Sequence, residues 1–464
     1  MVLSPKSAAR ASNIFKKADL GNVTRVRRAM ELSEALALAP CLSLPKIWST
    51  PAELEAAYLF LRKPSTGFAA LMDAVQQETR ERALKEMSVL ILHDTTDVTC
   101  PSASPDEVGF LQTGQAGFYV HHALCVSGDG NRPLGVLWSE LWGRPQRSGR
   151  GGRNLSGPEL AKLEYRESDR WLEGVTEAQL WSEGCQQVIH VMDREGDFYR
   201  LYEHLLDLDA DFVIRLRHNR STEDGVISEC LARQPITVQR LVQLSARKQK
   251  TMPSHTHQGR PARKANLVVR CAELTFRPPN HMKKDSDDVT LNVLQVLEEH
   301  PPKGQKPVSW VIATTLPIKT VAQIERVIDI YRARWLIEEF HKALKTGCML
   351  EKRQLESFES ITTLLALCYP IACELLRVRS RAREPGLAAG DVLRKTLLDC
   401  LRAHPKARPL PKHPTAEEAL GVIAGLGGHI KHNGPPGWQT LAAGYMALLS
   451  FEQGWLAALR TAAN

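Results

Sequence analysis

The chain has 464 residues, 43% hydrophobic and 24% charged, which is ordinary globular composition and excludes a disordered or collagen-like polymer. Sixty basic against 52 acidic residues leave a net charge of +8, an excess that suits a phosphate-rich partner because each phosphate contact releases counterions. No apolar run approaches the roughly 20 residues that span a bilayer, and ten cysteines without a C-x-x-C pair exclude a zinc site or disulfide framework in favour of reduced core thiols.

The opening MVLSPKSAARASNIFKK lacks a secretory-type apolar segment, so a cytoplasmic protein is expected. Residues 8–40 read as helical and basic, and AELEAAYLFLRKP as a second helix stopping at Pro64. Together they form a small helical module ending near residue 70. SVLIL (88–92) is a short strand ending at His93 and Asp94. GFYVHHALCV (117–126) and PLGVLWSEL (133–141) flank the turn signal SGDGNR and predict an antiparallel pair. GRPQRSGRGGRN (143–154) reads as a mobile loop, and about 158–183 as a helix. QQVIHVMD (186–193) is a second buried strand ending on an aspartate; a helix (197–208) and the strand DFVIRLRH (211–218) follow. From about 219 to 308 the pattern turns strand-rich, and SWVIATTL (309–316) returns to the main body. One long helix is expected over 320–346, then mostly helices, interrupted by the linker RAHPKARPLPKHP (402–414).

Strands interleaved with helices predict an α/β layer structure, in which ligand sites lie beyond strand ends. Asp94 and Asp193 are therefore placed to meet, provided their strands are neighbours. In the long helix, Tyr331, Arg334, Glu338, Lys342 and Lys345 fall within a stripe roughly 80° wide at about 100° per residue. Ile330, Ala333, Leu336, Ile337, Phe340 and Leu344 lie opposite, facing the core. Glu338 sits inside the stripe and Glu339 about a quarter turn away, so Glu338 is the better metal ligand. Such a helix alone reads as a solvated surface with Arg334–Glu338 and Glu338–Lys342 pairs. Its company shifts that reading. Three converging carboxylates in a basic surround would bind hard divalent cations and leave positive charge for phosphates.

HDTTD (93–97), VMDREGD (191–197) and Y-x-x-R-x-x-x-E-x-x-x-x-x-x-K (Tyr331, Arg334, Glu338, Lys345) resemble the signatures of DDE transposases of insertion sequence family four, the Y-R-E-K group. The likeness runs nearly end to end, through ADLGNVTRVRR, AAYLFLRKP, RPARKANLVVR, PPKGQKPVSWVIATTLPI and YRARWLIEEFHKALKTG to GWLAAL. It implies an RNase H-like catalytic core over 71–360, a mixed sheet flanked by helices, with a β-rich insertion at about 219–308. All-α domains flank it: DNA-end binding at 1–70 and dimerisation at 361–464. It implies two Mg²⁺ ions, Mn²⁺ able to substitute, on the triad Asp94, Asp193 and Glu338. It also implies cut-and-paste transposition: hydrolysis at the transposon end, hairpin formation by the freed 3′-OH, hairpin opening and strand transfer into target DNA. The implied partners are double-stranded transposon ends with inverted repeats, target DNA, and a second copy of the chain in a synaptic homodimer that cuts in trans. No membrane is among them, and the setting is the bacterial cytoplasm and nucleoid.

By the same resemblance Trp310 stacks a flipped base, which needs a π-surface to offset its lost stacking. Without the resemblance, Trp310 reads equally as a core residue at a strand start. Tyr331, Arg334 and Lys345 match positions that grip phosphates, and Lys342 and Arg215 match further DNA contacts. Arg25, Arg27, Arg28, Arg62 and Lys63 match the end-recognition domain. Glu195 and Asp197 read as acids favoured by a helix N-terminus rather than as ligands. His93, His121 and His122 read as structural, and His255 and His257 as loop residues. The alternative function is a catalytically silent, transposase-derived DNA-binding protein or inhibitor of transposition.

Overall fold

The computed structural model describes residues 2–48, 50–63, 66–144, 167–246, 250–251, 256–257, 259–430 and 435–463. The N-terminal segment contains α1 (Pro5–Ser12), a 3-10 turn at Asn13–Lys17, α2 (Val23–Leu38), α3 (Leu44–Ile47) and α4 (Pro51–Arg62). The helical stretch expected over 8–40 is broken because Gly21 adopts φ +77°. Asn22 then caps α2, its side chain accepting the Arg25 N–H. α4 begins with Pro51 in its first turn and a reciprocal Thr50–Glu53 capping box. It ends at Arg62, ahead of Pro64, which lies outside the described residues. α5 (Phe68–Ala83) leads into the sheet.

That sheet has eleven strands. β1 (Val89–Thr99) is followed by the single-turn α6 (Pro105–Val108), then the antiparallel hairpin β2 (Gly117–Ser127) and β3 (Pro133–Trp142). Gly130 in the hairpin turn has φ +70°, and a Cβ there would stand 2.2 Å from that of Ala333. Only a glycine lets this turn pass so close to the later helix. The loop expected at 143–154 and the first part of the helix expected from 158 fall largely outside the described residues; α7 (Asp169–Trp181) is what is described of that helix. β4 (Val188–Met192), α8 (Tyr199–Asp207) and β5 (Asp211–Arg215) lie close to their expected positions.

The strand-rich region comprises β6 (Ser221–Thr222), β7 (Gly225–Val226), α9 (Ile227–Ala232), β8 (Val238–Leu244), β9 (Lys250–Thr251), β10 (Thr256–His257), β11 (Arg263–Phe276) and β12 (Val289–Leu297). β13 (Ser309–Thr314) pairs antiparallel with both β12 and β5, so most of this region extends the main sheet instead of forming a separate one. The strand order is β3-β2-β1-β4-β5-β13-β12-β11-β6-β7, with β8 also on β11 and with β10-β9 a separate pair. β1, β4 and β5 run parallel at its centre.

The single helix expected over 320–346 is instead α10 (Val321–Ala333), a break at Arg334, α11 (Trp335–Lys342) and a π-helical turn at Ala343–Gly347. The N-cap of α10 is a Thr320–Gln323 capping box. Helices α12 (Phe358–Arg381), α13 (Lys395–Ala403), α14 (Ala416–Leu426) and α15 (Trp438–Ala463) complete the fold. α12 corrects the expectation that no segment is apolar enough to span a bilayer. An 18-residue stretch of it passes that test by length and composition, yet 94% of the stretch is buried. It serves as the central core helix. One apolar cluster joins Phe15, Leu36 and Phe60 of the N-terminal helices to Leu367 and Leu375 of α12, Tyr445 of α15, and one face of the central strands.

Candidate active site

Alternation along β1 decides which side chains meet. Leu90 and Leu92 belong to the apolar cluster containing Ile337 and Phe340 of α11, whereas Val89 and Ile91 pack with Ala178 of α7. Successive strand residues point to opposite faces. Asp94 therefore follows Leu92 onto the α11 side, and His93 follows Ile91 onto the α7 side. The parallel register pairs Leu90 with Ile189 and Leu92 with Val191. Two residues further on in each chain segment, the same parity assigns Asp94 and Asp193 to that face, and the Asp193 carboxylate is near enough to act on Asp94. The same parity carries across the sheet: Val213 and Ile312 lie in the α11-side cluster, and Arg215 opposes Ile312. Arg215 and Trp310 are thus on the acid-bearing face as well.

Arg334 supplies the link to the helix. Its Nη2 donates to Glu338 Oε1 at 2.6 Å and its Nη1 to Asp94 Oδ2 at 3.5 Å. One guanidinium bridges two of the three expected ligands. Desolvation works against its charge, but Asp94, Tyr331, Asp193 and the Glu338 hydrogen bond together outweigh it, so Arg334 is held above the usual arginine value. Burial first, and then the Asp193 carboxylate, push Asp94 up to about 8 against the pull of Arg334. Glu195 and Glu338 add smaller pushes in the same direction. Glu195 is itself raised, by burial and then by Asp193.

Such an excess of buried negative charge is what a divalent cation would neutralise, and oxygen donors are what Mg²⁺ selects. The donor set fits a hard cation. Yet among the described residues no three His, Cys, Asp or Glu side chains are drawn together closely enough to hold a metal ion. The Arg334 guanidinium is the cation the acids now share.

Beside the acids, the Trp310 and Tyr331 rings meet edge to face at 5.3 Å, and the Arg215 guanidinium lies 6.0 Å from the Trp310 ring. Arg215 also donates to the Ser309 carbonyl at 3.1 Å. Tyr331 is buried, not displayed on an open stripe. Lys342 departs further from expectation. It pairs with Glu339 at 2.8 Å and lies 4.7 Å from the Trp335 ring, not beside Glu338. Glu339 also accepts from Trp438 Nε1 at 2.9 Å and pairs with Arg379 at 3.3 Å. Lys345, beyond the start of the π-turn, pairs with Asp97 at 2.7 Å on the outer end of β1. Arg25, Arg27, Arg28, Arg62 and Lys63 are not brought to the acids. Arg25 donates to the Leu20 carbonyl, Arg27 and Arg28 pair with Glu31, and Arg62 lies over Tyr58.

Asp197 overturns its expected role at a helix start. It accepts from Tyr202 at 2.6 Å, from the backbone N–H groups of Arg217 and His218, and from Arg220. It is a buried anchor for the segment after β5. His93 and His121 are buried as expected of structural histidines, although His93 Nδ1 and His121 Nε2 find no hydrogen-bond partner among the described residues. On the α7 side His93 Nε2 meets His190 Nδ1 at 2.9 Å, His190 Nε2 meets Gln179 at 3.0 Å, and His121 Nδ1 meets Thr95 at 2.8 Å. Burial lowers His121 and His190 to about 3, so they are neutral. His122, on the other face, joins His341 at 3.2 Å and Tyr369 at 3.1 Å. His341 went unremarked in the sequence; its place three residues after Glu338 was the available signal. His257 has only its backbone described, and His255 lies outside the described residues.

Clustered carboxylates flanked by arginine and an aromatic pair define a class of site that handles phosphodiesters with divalent ions. Residues 179–372 match the family described as Transposase DDE domain, and residues 7–66 the family Transposase DNA-binding. The chain carries a DDE transposase domain and a transposase DNA-binding domain, and the DDE domain marks it as a metal-dependent DNA-cleaving and strand-transfer enzyme. The DDE match includes Asp193, Arg215, Trp310 and the helix through Lys345; the DNA-binding match includes Arg25, Arg27, Arg28, Arg62 and Lys63. Among solved structures, the chain is similar to one described as "Cryo-EM structure of piggyBac transposase synaptic complex with hairpin DNA (SNHP)". Identity is 10% and the TM-score 0.34, over 97% of this chain and 79% of that one, too slight a likeness to bear on the mechanism.

Proposed function

We propose that the chain is a cut-and-paste transposase of insertion sequence family four, resembling the transposon-five transposase, with Asp94, Asp193 and Glu338 as its metal ligands. One observation supports this reading: Arg334 donates to both Asp94 and Glu338, beside a parallel β1–β4 pair whose parity gives Asp94 and Asp193 the same face. The order β3-β2-β1-β4-β5, an antiparallel hairpin followed by parallel strands, supports an RNase H-like core at 71–360. Two Mg²⁺ ions held there would activate the attacking oxygen and stabilise the leaving one.

The chain's own residues then divide the work. Asp94, Asp193 and Glu338 fix the ligand geometry. Arg334, Lys345 and Arg215 take phosphates, arginine through its two-pronged donor fork. Trp310, backed by Tyr331, offers a face for a base leaving the duplex during hairpin formation. Residues 1–70 hold the transposon end. Residues 361–464 support a homodimer, to which Trp455, Leu456 and Leu459, exposed at the far end of α15, are suited. Such an enzyme works on DNA in the bacterial cytoplasm, each core cutting the end held chiefly by its partner.

The test is incubation of the full chain with its own element's end DNA and Mg²⁺. Nicks and then hairpins are expected. An end complex that forms and is never cut, while a known relative cuts in parallel, overturns the reading.

A further inference from the structure

Arg334 occupies two roles that cannot be filled together. As a phosphate contact it must reach DNA, yet its guanidinium is 2.6 Å from Glu338 and 3.5 Å from Asp94, and its side chain is only 12% exposed. It sits where α10 ends and α11 begins, one residue before Trp335 and three after Tyr331. From there the side chain reaches both acids, and Tyr331, whose ring meets that of Trp310, is one helical turn before it.

We propose that in the DNA-free protein the Arg334 guanidinium holds the cation position between Asp94 and Glu338, and that a DNA phosphate drawing it away opens that position to a divalent ion. This rests on the reading of Asp94 and Glu338 as metal ligands and adds a coupling to it. A monovalent cation within hydrogen-bond distance of a carboxylate repels a second cation approaching the same oxygen. A divalent ion must therefore displace the guanidinium or bind weakly beside it. Phosphate is a competitive destination because the guanidinium fork fits its oxygens as well as it fits a carboxylate. Arg334 exchanges its two carboxylates for a phosphate, and the dication that replaces it brings one more positive charge to the acids. DNA then tightens metal binding, and by reciprocity metal tightens DNA binding by the same factor. The physical consequence is that the cutting centre assembles only on engaged substrate.

The experiment is a Mn²⁺ titration of the full-length protein without DNA, read by the free-ion paramagnetic resonance signal. Arg334→Gln is expected to bind Mn²⁺ at least about tenfold more tightly than wild type. Arg334→Lys, which keeps the charge, is expected to stay near wild type. Unchanged or weaker binding by Arg334→Gln overturns the proposal. Asp94→Asn separates the two levels of the argument. If it abolishes Mn²⁺ binding while Arg334→Gln has no effect, the coupling fails and the ligand assignment survives. If Mn²⁺ binds Asp94→Asn as well as wild type, the ligand assignment fails and the coupling falls with it. Melting in EDTA checks that each variant is folded. Should Arg334→Gln not fold, wild type alone decides: a short duplex of the element's end must tighten Mn²⁺ binding, and no change refutes the coupling.

Discussion

The two faces of β1 treat buried polar groups in opposite ways. On the α7 side, His93, His190, Gln179, Thr95 and His121 are linked by hydrogen bonds and held neutral by burial. On the α11 side, one residue along, Asp94 faces Asp193 and shares Arg334 with Glu338 while its carboxyl is pushed up to about 8. A buried polar group is tolerated when its partners satisfy it and it need not carry charge. The histidine face meets the second condition fully and the first in part: its rings are neutral, but His93 Nδ1 and His121 Nε2 have no hydrogen-bond partner among the described residues. The acid face meets neither without a cation, and that shortfall marks it as the functional side.

The sharpest way to break this comparison is to remove acids. Asp193→Asn or Glu338→Gln should slow nicking of end DNA by about a thousandfold, about 4 kcal/mol in barrier height, with end binding retained. A gel assay of cleavage beside a mobility-shift assay reads both, and retained cleavage would dissolve the distinction between the faces. Next in size, Trp310→Ala should lower hairpin formation by roughly ten- to a hundredfold while first-strand nicking stays near wild type, because only the extruded base needs the ring. Equal loss at both steps would give Trp310 a packing role instead.

On the other face, His190→Ala should cost about 1–3 kcal/mol of stability by stranding His93 and Gln179, without changing Mn²⁺ affinity. Urea melts and the Mn²⁺ titration together check it. The histidines also set a pH dependence. His121, His190 and His341 have folded values near 3, below the unfolded value of about 6.5. Their contribution is complete above pH about 6.5 and is lost as pH falls from there toward 3, because the unfolded chain takes up protons first. Urea midpoints should therefore drop between pH 7 and 5, less steeply in His190→Ala. The smallest effect is expected from Lys342→Ala, under about threefold on cleavage, since Lys342 pairs with Glu339 away from the acids. A loss above about tenfold would mark it as a DNA contact.

Several parts of this site were legible in the sequence for identifiable reasons. QQVIHVMD ends on Asp193 and SVLIL is followed by His93 and Asp94, so the apolar runs located both acids; β1, however, continues to Thr99, and Asp94 lies within its strand, not at its end. The Arg334–Glu338 pair follows from helical spacing of four. The same spacing offers Lys342 to Glu338, yet it pairs with Glu339, which also holds Trp438 and Arg379 against α11. The break at Arg334 and the π-turn at Ala343–Gly347 left no mark in the pattern, since both preserve an apolar inner face.

By itself the sequence determined which residues could carry charge into the interior, where strands and helices begin, and which acids follow apolar runs. These are local properties, fixed by side-chain period and capping chemistry within a few residues of chain. Only the tertiary structure decided that β1 lies parallel to β4 with a parity that gives Asp94 and Asp193 the same face. It also decided that β13 returns beside β5 with Trp310 on their face, and that Arg334 turns inward to the acids. Those choices depend on contacts between segments a hundred or more residues apart, where burial of whole faces, and not any local preference, selects the pairing.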